Sequence, residues 1–267
     1  MTCTNRNWTI AFLSNLAVAF AAVSSLGVAP LAAQKATVKT TAFSGDLGFV
    51  STSGNTSVTS LNVGDKFTAN TVDKHFIFTQ TAAAVYGKVD GEKTVENYRF
   101  QLRGDYKLGG KLYLFGVTGW DRNTFGGISR RFEETIGLAY QAVTLPKDEL
   151  QLEAGLSLFQ QRNTFAPPNT SLDDNYKAGR AAAEYKHSFN TSSFFTQALE
   201  FLPNFDVGEQ WRLNSETALI APISRHLALK AGYVIRYDNL PPFTSATSTA
   251  RLKKSDRFLT MGITVSY

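Results

Sequence analysis

The chain has 267 residues, 43% of them hydrophobic and 18% charged, with 27 Lys and Arg against 22 Asp and Glu for a net charge of +5. One cysteine, Cys3, excludes an internal disulfide and a cysteine metal centre, and no charge run is long enough to form a nucleic-acid-binding arm. After residue 33 there is no run of about 18 apolar residues, so no helix of this sequence crosses a bilayer.

Residues 1–33 have the layout of a secretory signal peptide: a short polar start with Arg6, the apolar core "IAFLSNLAVAFAAVSSLGVA", and small residues before Ala33. Cleavage after Ala33 is expected, although Leu31 is larger than the usual residue three places back; the alternative is an uncleaved anchor. Residues 34–267 then form one mature domain, without Cys3 and with 26 bases against 22 acids once Arg6 has left. Dividing it at Gly, Pro, Asn and Asp clusters predicts about twelve strands: 40–52, 57–69, 75–88, 94–108, 111–122, 130–144, 149–162, 176–188, 194–205, 211–221, 227–238 and 256–267.

Alternation carries these assignments. In "VENYRFQLRGDYKL", Tyr98, Phe100, Leu102, Tyr106 and Leu108 share one parity, and Asn97, Arg99, Gln101, Arg103, Asp105 and Lys107 share the other. The last strand, "RFLTMGITVSY", sets Leu259, Met261, Ile263, Val265 and Tyr267 against Phe258, Thr260, Gly262, Thr264 and Ser266. A period of two belongs to strands, and no helical period fits. Connections after even-numbered strands are short, such as "GG" and "LPKDE", while those after odd-numbered strands include "NTFAPPNTSLDD" and "LPPFTSATSTARLKKS". Tight turns alternating with longer loops are the plan of an all-β, transmembrane, antiparallel up-and-down β-barrel with both termini on the periplasmic side.

Alternation alone does not say which face meets lipid. A lipocalin-like soluble barrel would turn the same apolar residues inward around a ligand. Three features favour apolar-out: charges of both signs recur on the opposite parity, aromatics collect near strand ends, and the chain stops on a strand ending in Tyr267, which resembles the terminal aromatic by which outer-membrane barrels are handed to the barrel assembly machinery.

"GDLGFVSTSGNTSVTSLNVG" at 45–64, "WRLNSETALIAPISRHLALKAGYVIRYDNLPP" at 211–242 and the terminal strand together resemble the YdiY-like, salt-induced outer-membrane proteins, domain-of-unknown-function family 481. The likeness spans roughly 40–267, and its most specific pieces are the Ser-Gly-Asn-Thr-Ser hairpin and the Tyr-Asp-Asn-x-Pro-Pro step into the last loop. It implies a barrel in the outer membrane of a Gram-negative envelope and no established activity.

Catalytic signals are thin. His75, His187 and His226 lie near strand ends or turns, and no His-Glu-x-x-His, Gly-x-Ser-x-Gly or phosphate-cradling loop occurs. The expectation is a non-enzyme with no cofactor and no metal; a barrel-borne hydrolase is the least favoured reading. The outstanding constellation is inward charge: Arg99, Arg103, Asp105, Lys107, Glu153, Arg180, Glu184, Lys186, Arg212, Glu216, Lys230 and Arg236. These line a narrow pore for ions or small polar solutes, biased toward anions, or else pair into a plug that leaves a structural, envelope-stress barrel. The last long loop finishes in "ARLKKSDR", so Arg251, Lys253, Lys254 and Arg257 read either as a solvated loop end or as contacts to lipopolysaccharide phosphates.

Overall fold

The computed structural model describes residues 40–52, 58–73, 75–224 and 226–266. The expected signal peptide, the tip of the first hairpin and the terminal Tyr267 lie outside the described residues.

Twelve strands occur among the described residues: β1 Thr41–Thr52, β2 Val58–Asn70, β3 Phe76–Val89, β4 Glu92–Gly109, β5 Leu112–Asn123, β6 Ile128–Thr144, β7 Asp148–Asn163, β8 Asp173–Ser188, β9 Phe194–Pro203, β10 Trp211–Pro222, β11 Leu227–Asp238 and β12 Ser255–Ser266. Each pairs antiparallel with its sequence neighbours, and β12 returns to β1 to close the barrel. Closure matters because a bilayer offers no water to an open strand edge. The shortest strand, β9, has 10 residues, which still meets the roughly 9–11 that a tilted strand needs to cross.

The apolar parity faces outward. Met261 on β12 is 68% exposed and Ile136 on β6 is 60% exposed, whereas Phe115 and Phe159 on the other parity are 1% and 2% exposed. A soluble, lipocalin-like barrel has the opposite arrangement, so that alternative is overturned: in water this belt would forgo about 25 cal/mol for each Å² of apolar surface left wet. Aromatics gather at the outer rim, where Trp211 stacks on Tyr237 at 4.9 Å and tilts against Phe201 at 5.8 Å, as interfacial girdles do. A polar trio on the lipid face satisfies itself: Gln197 Nε2 donates to Ser215 Oγ at 3.0 Å and Thr217 Oγ1 donates to Gln197 Oε1 at 2.6 Å.

Two features position the interior. Among the described residues the β1–β12 seam is paired over Ser44–Leu47 and Ile263–Ser266, and Asp46 reinforces it from inside, receiving Lys230 Nζ of β11 at 2.5 Å and Thr264 Oγ1 of β12 at 2.6 Å. At the outer end, the β11–β12 loop, residues 239–254, meets the β5–β6 turn, which lies diametrically opposite in the strand order. Gly127 in that turn has φ +76°, and a Cβ there would come within 2.7 Å of Pro242 Cβ; only glycine combines this backbone with so close an approach. The loop is braced by Arg251, whose Nη1 donates to the Pro241 carbonyl at 2.7 Å while its guanidinium lies 4.2 Å from the Phe243 ring centroid. It thus forms a strap across the barrel mouth.

Candidate functional site: the barrel lumen

Strand geometry decides which side chains enter the lumen, and packing decides what they do there. The middle of the barrel holds a chain of charge: Asp105 and Arg103 from β4, Glu153 from β7, Arg180 from β8 and Glu200 from β9. Arg103 Nη2 lies 2.6 Å from Asp105 Oδ1 and 2.7 Å from Glu153 Oε1. The other Glu153 oxygen takes Arg180 Nη1, and Arg180 Nε reaches Glu200 Oε1 at 2.7 Å. Asn214 Nδ2 of β10 donates to the second Glu200 oxygen at 2.8 Å, so each carboxylate is bonded on both oxygens. Buried charges persist only when compensated in this way.

The chain passes over the middle of β5 and β6, where the inward residues Phe115, Val117, Gly137 and Ala139 are apolar or small. Phe115 lies beneath it, with the Arg103 and Arg180 guanidinium carbons 4.5 and 5.3 Å from its ring centroid, both within cation–π reach. Room for the ring comes from Gly137, where a Cβ would fall 2.7 Å from Phe115 Cζ.

Toward the outer mouth a second layer forms. Arg131 holds Asp121 with two parallel bonds at 2.9 and 3.0 Å and donates to Gln161 Oε1 at 3.2 Å. Phe159 and Tyr176 stack at 5.0 Å, and the Arg212 guanidinium caps them at 4.3 and 5.7 Å. Between the strap and this layer is a cavity of about 300 Å³.

The opposite wall is different. Inward positions of β12, β1, β2 and β3 carry Thr260, Gly262, Gly48, Gly64, Thr81 and Ala83, and Ala83 is exposed despite pointing inward. Glu216 on β10 is likewise inward and exposed. Lys230 and Asp46 keep 28% and 34% of their side chains exposed. The lumen is therefore packed from β4 through most of β10 and water-accessible from Glu216 round through the β1–β12 seam to Ala83 of β3.

The structure brings together four of the residues expected from sequence, Arg103, Asp105, Glu153 and Arg180, as one network. Arg99, Arg212 and Arg236 meet instead at the outer cavity, and Lys230 joins Asp46 at the seam. Lys107, Glu184 and Glu216 take part in no ion pair among the described residues, while Lys186 pairs with Glu149 at 3.4 Å near the end with the short turns. Of the loop bases, Arg251 grips its own strap, Lys254 donates to Asn239 Oδ1 at 2.9 Å, Lys253 and Lys254 line the cavity, and Arg257 is exposed. Sequence reasoning missed Asp46, Phe115, Asp121, Arg131 and Glu200. Glu200 was findable, since "ALEFLP" places it opposite Leu199 and Phe201.

The histidines are at the rim that carries the short turns. His75 Nδ1 lies 3.2 Å from Asp73 Oδ2 in the exposed β2–β3 turn, where the Thr71 hydroxyl and the His75 backbone N–H hold the Asp73 carboxyl below its usual range. His187 Nδ1 lies 2.8 Å from Asp148 Oδ1, which also accepts the Tyr185 hydroxyl at 2.6 Å. His226 is in the β10–β11 turn. Among the described residues, no group of three or more acids and histidines converges as metal ligands do.

Comparison with known proteins adds the following. The family described as "Protein of unknown function, DUF481" matches residues 45–267. The "Uncharacterized protein YdiY" of Escherichia coli (strain K12) is 27% identical over 216 residues, covering 78% of this chain and 79% of that protein. Among solved structures, the NanC porin superposes with a TM-score of 0.49 at 8% identity, covering 84% of this chain and 98% of that one. The translocator domain of the autotransporter NalP from Neisseria meningitidis gives 0.46 at 12% identity, covering 87% and 90%.

Proposed function

Since this chain belongs to the DUF481 family, whose function is unknown, its own geometry must carry the reading, and we propose that it is an outer-membrane barrel of the Gram-negative envelope that forms a narrow, off-centre passage for ions or small polar solutes. The carrying observation is the asymmetry of the lumen. Large charged and aromatic side chains fill most of the lumen from β4 to β10, while β12, β1, β2 and β3 carry small residues such as Gly262, Gly48, Gly64 and Ala83 at inward positions, and Ala83 and, at the border on β10, Glu216 are accessible to water. A barrel serving only as a packed structural element gains nothing from such a strip, because interiors that can close do so at near-crystalline density.

The test is single-channel current in planar bilayers. Small, discrete conductance steps are expected, and widening the strip is awkward whereas blocking it is simple: Ala83→Trp should reduce the current while leaving the barrel folded. Absence of current at any voltage from correctly folded protein would refute the passage. The second reading, a plugged envelope-stress barrel, is favoured by the neutralised Arg103–Glu153–Arg180–Glu200 chain. It predicts no current and no effect of Ala83→Trp. Enzymatic hydrolysis has less support: the His187–Asp148 pair has Tyr185 as its third member, and no serine hydroxyl bonds to either group among the described contacts.

A further inference from the structure

The outer cavity contains an imbalance that the barrel's own pairing does not resolve. Arg99, Arg131, Arg212, Arg236, Lys253 and Lys254 line it, against the carboxylates of Asp238 and Asp256. Arg131 is already committed to Asp121. None of the ion pairs among the described residues involves Arg99, Arg212 or Arg236. Like charges gathered in a partly dry space repel, so they persist where an anion spends time among them.

A second observation points to a ligand. Arg212 is 8% exposed, and its Nη2 is buried without a hydrogen-bond partner. An orphaned donor on a buried charged group costs free energy that folding alone does not recover. Its placement is not loose, because the Phe159–Tyr176 stack holds the guanidinium from one face. The Arg212 guanidinium, which lines the cavity, is thus preorganised beside it, with Nη2 one buried donor for which the protein supplies no acceptor.

We propose that this cavity binds a small organic anion, with its oxyanion head on Arg212 and Arg236 and its less polar body beneath the strap. Guanidinium forks suit carboxylate and phosphate oxygens. The roof is chemically distinct from the floor: Pro241, Pro242 and Leu252 from the strap, with Phe125 and Ile128 from the opposite hairpin, present apolar surface. A volume of about 300 Å³ lies at the small end of ligand sites, which commonly measure about 300–1,000 Å³. Phosphates of lipopolysaccharide share the head-group chemistry, but they lie on the outer wall, whereas this site is under the strap within the barrel; the ligand is a free solute. The inference rests on the passage reading, which it deepens by naming the class of solute selected at the entrance.

The experiment is calorimetric titration, at low salt, of full-length protein refolded without lipopolysaccharide in detergent micelles, using inorganic phosphate and benzoate as probes up to about 10 mM. Saturable one-site binding is expected for benzoate, with phosphate weaker because it lacks an apolar body. Arg212→Gln should weaken binding by about tenfold or more, as loss of a charge-assisted bond does. Arg236→Gln carries the same expectation, and the loop double variant K253Q/K254Q, remote from the packed layer, gives a smaller loss should Arg212→Gln fail to show the heat-modifiable migration of a folded barrel. No saturable binding of either probe, or binding equal in wild type and all the folded variants, overturns the proposal. So does anion binding that appears only after lipopolysaccharide is added, which would assign the chemistry to the lipid. Binding in micelles requires no conduction, so a protein that binds benzoate yet passes no current refutes the passage and keeps the site, whereas current indifferent to Arg212→Gln with no binding does the reverse.

Discussion

Arg103→Glu is the sharpest probe of the interior. Arg103 keeps 18% of its side chain exposed and neutralises Asp105 at 2.6 Å and Glu153 at 2.7 Å. Removing one partner of a buried pair costs about 3–5 kcal/mol. The substituted carboxylate would stand against two others, and like charges about 4 Å apart repel by roughly 4 kcal/mol at an effective dielectric constant near 20, partly relieved if one takes up a proton. Arg180 still compensates one oxygen of Glu153, so the net expected loss is about 3–5 kcal/mol, a large part of the roughly 5–15 kcal/mol by which folded proteins are held. Urea titration of protein refolded into lipid vesicles, followed by fluorescence of Trp120 and Trp211, measures it. Lys66→Glu, an exposed inward-facing site, is the control and should change stability by less than about 1 kcal/mol. Because the passage runs along the other wall, Arg103→Glu should still conduct in whatever fraction folds, with selectivity shifted toward cations. A loss below about 1 kcal/mol would show that Arg103 faces bulk water, and the packed network would have to be abandoned.

Gly137→Val should destabilise by about 3 kcal/mol or more, because a Cβ there meets the Ala154 carbonyl oxygen as well as Phe115 Cζ at 2.7 Å, and Phe115→Ala in the same protein should recover only the part due to the ring; equal stability of the single valine variant would refute the tight approach. Asp46→Ala removes the acceptor of Lys230 and Thr264 at the β1–β12 seam, and a loss of about 1–2 kcal/mol in the same urea assay is expected, discounted from the usual value for charged hydrogen bonds because the pair is partly exposed. Epitope tags near Asn169 and Ser245 should be reached by antibody on intact cells, while a tag between Gly109 and Gly110 should not; labelling at the latter site would invert the topology. Neutralising Arg251, Lys253, Lys254 and Arg257 together should reduce lipopolysaccharide co-purification and its salt dependence, and unchanged co-purification would dispose of that contact.

The strands were legible because a bilayer and a two-residue repeat leave few choices. Eleven of the twelve begin within two residues of the positions expected from the sequence, and β11 matches at both ends, Leu227 and Asp238. The discrepancies have physical causes. β8 starts at Asp173 rather than 176 because "DDNY" has turn composition, yet Asp173 is paired with Arg162 at 3.3 Å and Asp174 points into the barrel. β9 stops at Pro203, which has no N–H to extend the ladder, and Asn204 then bonds into the loop through Gln210 at 2.6 Å.

The site was legible only to the level of facing. Parity says that Arg103 and Glu153 both point inward; it does not say that they meet, since they lie on β4 and β7 with two strands between. They meet because β5 and β6 present Phe115 and Gly137, a flat ring and an empty position, over which long side chains can reach. Apolar residues on an inward parity, such as Phe115 and Val117 in "LYLFGVTGW", read as irregular alternation when the lumen is imagined as uniformly wet. They are what makes it uneven. An arginine that must lie across a ring to find its carboxylate cannot also reach the far wall, and the small residues of β12, β1, β2 and β3 do not reach back. The same arrangement that neutralises charge on one side of the barrel therefore leaves space on the other, so packing and passage are consequences of one distribution of side-chain volume around the sheet.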